Sequence, residues 1–161
     1  MNDSPAVLVH ARGLRKDYGS GEGLVRALDA VDLDVSRGEA VAVMGPSGCG
    51  KSTLLHLIGG LDRPSAGQLS VAGQRVDELA ERALAYYRRD EIGFVFQTFQ
   101  LMDELTAQEN VELPALLAGY SPNEARARAT ALLERVGLAD RARSSGPLLR
   151  RRTCVSARRS R

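Results

Sequence analysis

The sequence predicts an α/β fold, and three observations carry that reading. An apolar run, Ala40-Val41-Ala42-Val43-Met44, leads straight into a glycine-rich turn. Val31, Leu33 and Val35 alternate with Asp32 and Asp34, the period-two pattern of a half-buried strand. Thr106-Ala107-Gln108-Glu109 and Ser121-Pro122-Asn123-Glu124 are capping boxes, in which hydroxyl and carboxylate satisfy the free backbone donors of a starting helix. Strands therefore belong to the first part of the chain and helices to the second.

The elements follow in order. Val7-Leu8-Val9 opens a short strand that gives way to polar residues through Arg15-Lys16-Asp17. The alternating strand at 31–35 passes through the turn Ser36-Arg37-Gly38-Glu39 into the buried strand at 40–44. Beyond the glycine-rich turn, Leu54, Leu55, Leu57 and Ile58 form a short apolar helix that Gly59-Gly60 stops. Its His56 reads as a packed helix residue rather than a catalytic one. Asp62 to Gly67, with Pro64, is a turn, and Leu69 and Val71 mark another strand. Glu78 to Arg89 reads as a helix packed through Leu79, Ala83 and Tyr87, with Asp90-Glu91 as its polar end. Ile92 to Phe96 is a compact apolar strand. The second capped helix runs through Leu132, Leu133 and Val136 to Gly137. From Ser144 onward neither periodicity nor a core pattern remains, which divides the chain into a folded part, 1–143, and an Arg-rich unstructured tail, 144–161.

Composition narrows the class. At 161 residues and 43% hydrophobic content the chain suits one water-soluble domain. No apolar run reaches the ~20 residues of a membrane span, and Met1-Asn2-Asp3-Ser4-Pro5 lacks the pattern of a secretory signal. Cys49 and Cys154 match no metal spacing, so reduced thiols in the cytoplasm are expected. The net charge of +2 hides an asymmetry: eight of the 22 cations and none of the 20 acids lie after residue 140. No aromatic residues interleave with that basic tail, so nucleic acid is not an expected partner.

The chemistry sits at Gly45-Pro46-Ser47-Gly48-Cys49-Gly50-Lys51-Ser52-Thr53. Two glycines separated by four residues, then Lys and Ser, between a strand and a helix, form a phosphate-binding loop. Gly48 and Gly50 can take positive φ and leave the backbone open to a phosphate. Backbone N–H groups then face the anion together with the positive end of the helix. Lys51 is placed to reach the terminal phosphates, and the Ser52 hydroxyl to hold Mg²⁺.

Other residues become readable beside the loop. Tyr18 lies 27 residues before Gly45, and Gln97 closes the run Ile92-Gly93-Phe94-Val95-Phe96 ahead of Phe99 and Leu101. This arrangement resembles the ATP-binding subunits of ABC transporters over about residues 6–140. Glu109-Asn110-Val111-Glu112-Leu113-Pro114 looks most like the group serving lipoprotein release and macrolide efflux. The resemblance implies a P-loop NTPase core of ABC type with an N-terminal antiparallel β-region and a helical arm. It implies ATP and Mg²⁺ as cofactors, with Tyr18 stacking on adenine, residues 45–53 holding the phosphates, and Ser52 and Gln97 at the metal. Lys51 and Gln97 would be the catalytic groups present. The implied partners are a membrane permease subunit and, in full-length members, a second copy, at the cytoplasmic face of the cell membrane.

The chain departs from that family after residue 140. A Ser-Gly-Gly signature, a strand ending in Asp-Glu and a later histidine are all missing, since His10 and His56 come too early. The later strands of the core then have no sequence to form them, and hydrolysis is expected to be slight even where nucleotide binds. One codon spelling of Leu149-Arg150-Arg151-Arg152-Thr153, read one base later, yields Ser-Gly-Gly-Glu-Arg, so the tail is expected to be a frameshift product. Its rival is a natural basic, solvated terminus. For function, the alternatives are an unrelated P-loop kinase or a non-catalytic nucleotide-binding fragment.

Overall fold

A computed structural model describes residues 7–97 and 100–145, in two compact units that divide after Phe94. The first unit holds the strands β1 (Val7–Tyr18), β2 (Val25–Ser36), β3 (Ala66–Val71) and β4 (Gln74–Arg75), with helices α1 (Lys51–Ile58) and α2 (Glu81–Asp90). The strands form one sheet of order β2-β1-β3-β4, antiparallel at every pair.

β1 and β2 run far past the short strands read from the apolar pattern. Cross-strand ion pairs explain the extension. Arg26 meets Asp17 at 3.0 Å, Arg15 meets Asp29 at 3.1 Å, and Arg12 forks onto Asp34. Polar residues can therefore continue a ladder on the solvent face. The opposite face buries Val9, Ala11 and Leu14 of β1, Leu28 of β2, and Leu69 and Val71 of β3. Leu54 and Leu57 of α1 and Leu84 and Tyr87 of α2 complete the same cluster.

Gly59 and Gly60 end α1 as expected, and the structure adds why both are glycine. A Cβ on Gly59 would lie 2.2 Å from the Phe94 ring, and one on Gly60 would crowd Tyr87 and Leu84. Two carbonyls at the finish of the helix are taken up by α2: Tyr87 Oη donates to Ile58 O, the last of the helix, at 2.7 Å, and Arg88 donates to Gly60 O just beyond it at 2.7 Å. Burial, with the nearby Glu91, pushes the Tyr87 phenol up to about 12.

Three expectations need correction here. The segment 40–44 is not a buried strand: Val41 and Val43 are exposed and Met44 is 88% exposed. The segment 92–96 likewise forms no strand, and Val95 is fully exposed. A strand in a parallel sheet needs hydrogen-bonding neighbours on its flanks, and neither run pairs with another strand among the described residues. His56 is exposed on α1 rather than packed, because the buried stripe of this short helix is Leu54 and Leu57. Of the tyrosine pair in α2, Tyr87 packs and Tyr86 faces outward beside Arg82 and Arg89.

The second unit contains α3 (Ala107–Leu117) and α4 (Pro122–Arg135), packed together. Both capping boxes form. Thr106 Oγ1 accepts from Glu109 N at 3.2 Å while Glu109 accepts from Thr106 N, and Ser121 and Glu124 repeat the exchange. Ala125 and Ala129, four apart and fully buried, give α4 a flat face. Gly137, at φ +71°, ends that helix, and Leu138 N donates to Leu133 O at 2.8 Å. Ser144 and Ser145, read as tail, are tied in: Ser144 O accepts from Ala107 N, and Ser145 bridges to Thr106. The remainder of the Arg-rich tail lies outside the described residues.

Candidate functional site

The glycine-rich turn is built around two left-handed residues, Gly48 at φ +83° and Gly50 at φ +87°. They are glycine for different reasons. At Gly48 a Cβ would meet nothing within 4 Å, so φ alone selects the residue. At Gly50 a Cβ would sit 2.3 Å from Ala27 O and 2.8 Å from Leu28 Cδ2, so a side chain would lift the turn off β2. Gly50 is the N-cap of α1, and Leu54 N donates to its carbonyl at 2.9 Å.

No side chain caps this helix start. The N–H groups of its first turn therefore have no intrahelical acceptor. They border a cavity of about 320 Å³ lined by Ala27, Ser47, Gly48, Gly50, Lys51, Ser52 and Thr53. Lys51 Nζ donates to Gly45 O at 2.9 Å and Pro46 O at 2.6 Å, folded back over the turn. Cys49 Sγ, exposed, is 3.5 Å from the same ammonium. A helix start, an ammonium and three hydroxyl residues around one concavity make an electropositive hollow suited to an anion. Ser52 offers a hard hydroxyl oxygen of the kind Mg²⁺ takes, and among the described residues no group of three His, Cys, Asp or Glu side chains gathers as a metal site.

Tyr18 ends β1, outside the residues lining that hollow. It pairs with Val25 on β2, two residues before Ala27, whose carbonyl abuts Gly50. At roughly 3.3 Å per residue along a strand and about 5 Å between strands, the Tyr18 backbone stands about 8 Å from that of Ala27. Its hydroxyl donates to Asp62 Oδ2 at 2.9 Å. Asp62 and Lys16 were not singled out from sequence. Their contact spans 46 residues and joins the end of β1 to the turn ahead of β3. Burial pushes the Asp62 carboxyl up, but hydrogen bonds from Lys16, the Arg63 amide and Tyr18 outweigh it and hold the group below its ordinary value. Gln97 falls in an exposed bend of the second unit. Asn110, quoted from sequence only as part of the 109–114 segment, has a structural role: its amide donates to Met102 O and Leu105 O and accepts from Met102 N, fastening the chain ahead of α3.

Fold and turn together define a nucleotide-cassette architecture, and comparison with known proteins gives the family. The ABC transporter family profile matches residues 28–156, and the chain belongs to that family. Among curated relatives it is 49% identical over 141 residues to the macrolide export ATP-binding/permease protein MacB 1/2 of Paracoccus denitrificans. It is 48% identical over 142 residues to the lipoprotein-releasing system ATP-binding protein LolD of Chromohalobacter salexigens. Those alignments cover 88% and 85% of this chain but 21% and 60% of the relatives, so the chain spans only part of either. The ATP-binding cassette MJ0796, solved as a dimer bound to ADP and phosphate, superposes with a TM-score of 0.79 at 41% identity. That match covers 87% of this chain and 62% of the other. The α/β cassette fold expected from the sequence is thus the fold found.

Proposed function

We propose that the chain binds ATP-Mg²⁺ as the nucleotide-binding part of an ABC transporter whose membrane permease selects the cargo. The observation that carries this reading is the hollow at the uncapped start of α1, lined by Ser47, Gly48, Gly50, Lys51, Ser52 and Thr53, and it is supported by the pairing of Tyr18 with Val25, two residues before the Ala27 that abuts Gly50. The phosphates would take the free N–H groups of the α1 start, and Lys51 would exchange the carbonyls of Gly45 and Pro46 for the terminal phosphate oxygens. Gly45, Pro46, Ser47, Gly48, Cys49, Gly50 and Thr53 complete the cradle, and Tyr18 stacks on adenine. Ser52 would hold Mg²⁺, which would neutralise charge on the phosphates when bound; Gln97 is the second metal ligand that the family resemblance implies.

Hydrolysis by these 161 residues is proposed to be slight. Phosphoryl transfer depends on positioned charge and on an oriented water, and no Asp-Glu strand end or later histidine is in the sequence to provide them. Association with the cytoplasmic face of a membrane would come through the permease, since no helix among the described residues is long and apolar enough to cross one. Similarity to MacB and LolD supports an export or lipoprotein-release setting.

The test is a titration with ATP-Mg²⁺ in parallel with a turnover assay. Lys51→Ala should weaken binding about 10- to 100-fold, the loss of hydrogen bonds to a charged partner. Equal affinity in variant and parent would remove the phosphate-loop assignment. Turnover near 1 s⁻¹, the low end of ordinary enzymes, would overturn the proposal of slight hydrolysis.

A further inference from the structure

Lys16 and Tyr18 are two apart on β1, so their side chains share a face of the sheet. The Lys16 ammonium lies 4.9 Å from the centroid of the Tyr18 ring and covers one side of it. That ammonium donates to Asp62 Oδ1 at 2.6 Å and Arg63 O at 2.8 Å. Asp62 Oδ2 accepts from the Tyr18 hydroxyl at 2.9 Å, and Oδ1 accepts from the Arg63 amide at 2.7 Å. The lysine side chain is only 12% exposed, and the carboxylate 30%. The ring is thus held at two points, by its hydroxyl and by one π-face.

We propose that Asp62 and Lys16 are positioning residues that lock the Tyr18 ring, so that a purine stacks on the face opposite the ammonium. This rests on the reading of Tyr18 as the base platform. A free tyrosine at the end of a strand samples several rotamers, and a base that must select one of them binds more weakly by that fraction. Bonding the hydroxyl to a carboxylate that is itself fixed by a lysine and a backbone amide removes that selection. The hydroxyl then matters to base binding although it never touches the base.

Binding of ATP-Mg²⁺ and of tripolyphosphate-Mg²⁺, which has phosphates and no base, separates this role from a structural one. Tyr18→Phe and Asp62→Asn should each weaken ATP about threefold to tenfold, the effect of losing one hydrogen bond, and leave tripolyphosphate affinity unchanged. Tyr18→Ala should weaken ATP at least as much, again without effect on tripolyphosphate. If Tyr18→Ala does nothing to ATP, the base-platform reading itself fails. If Tyr18→Ala weakens ATP while Tyr18→Phe and Asp62→Asn do not, the platform stands and the positioning role is overturned. Equal losses for both ligands in Asp62→Asn mark a misfolded turn, and Tyr18→Phe, which leaves the turn's bonds to Asp62 in place, then decides alone.

Discussion

The buried face of the four-stranded sheet and the two runs at 40–44 and 92–96 are all apolar, yet only the sheet has its strands paired. β1 finds β2 and β3 on its two sides, and β4 folds back on β3 through a tight turn. The apolar runs pair with nothing comparable among the described residues and leave Met44 and Val95 in solvent. Antiparallel strands can be completed by what lies next to them in the chain, whereas strands of a parallel sheet depend on partners reached by long crossovers. Hydrophobic composition says that a segment wants covering; topology decides what can cover it.

The sharpest way to break this comparison is to weigh both regions by truncation. Leu14 is fully buried in the central strand, and Leu14→Ala should cost about 2–5 kcal/mol in chemical denaturation. A cost below 1 kcal/mol would mean that the sheet is not the stable part of its unit.

Acid should come next. Asp77 accepts from Arg75 and from Leu69 N at 3.1 Å, and its carboxylate is 9% exposed. The Arg75 bond, assisted by the Leu69 amide and opposed by burial, holds the group below its ordinary 3.8. A carboxyl whose folded value is depressed contributes stability at neutral pH and loses it as pH falls through that value. The sheet unit should therefore weaken below about pH 4. Asp77→Asn should lower stability at pH 7 and flatten the decline between pH 5 and 3; an unchanged acid limb would assign it to other carboxylates.

The smallest effect should be in the open run. Val43, 38% exposed, should lose no more than about 0.5 kcal/mol as Val43→Ala. A loss matching that of Leu14→Ala would show that the run is covered in solution and would erase the contrast.

What was legible in the sequence follows from range. The helix start after Gly50, the Gly59-Gly60 stop and both capping boxes are contiguous devices whose partners lie within a few residues, and each is present as read. The lengths of β1 and β2 were not legible, because ion pairs such as Arg12 with Asp34 extend the ladder through residues that look like loop. The glycine at 50 was recognised for its turn, but its packing against Ala27 depends on a strand more than twenty residues earlier. The Tyr18–Asp62–Lys16 cluster is further from view again, since no local pattern joins residues 44 positions apart.

α1 is a strut with no slack at either end. Gly50 seats its start against β2 without room for a methyl group, while Tyr87, Arg88 and the Phe94 ring grip its finish. Eight residues make a rod about 12 Å long. A rod wedged this way cannot absorb a push at its tip by bending or fraying. Work done on the tip is delivered to its far mount, so α2 is the element whose displacement would register it.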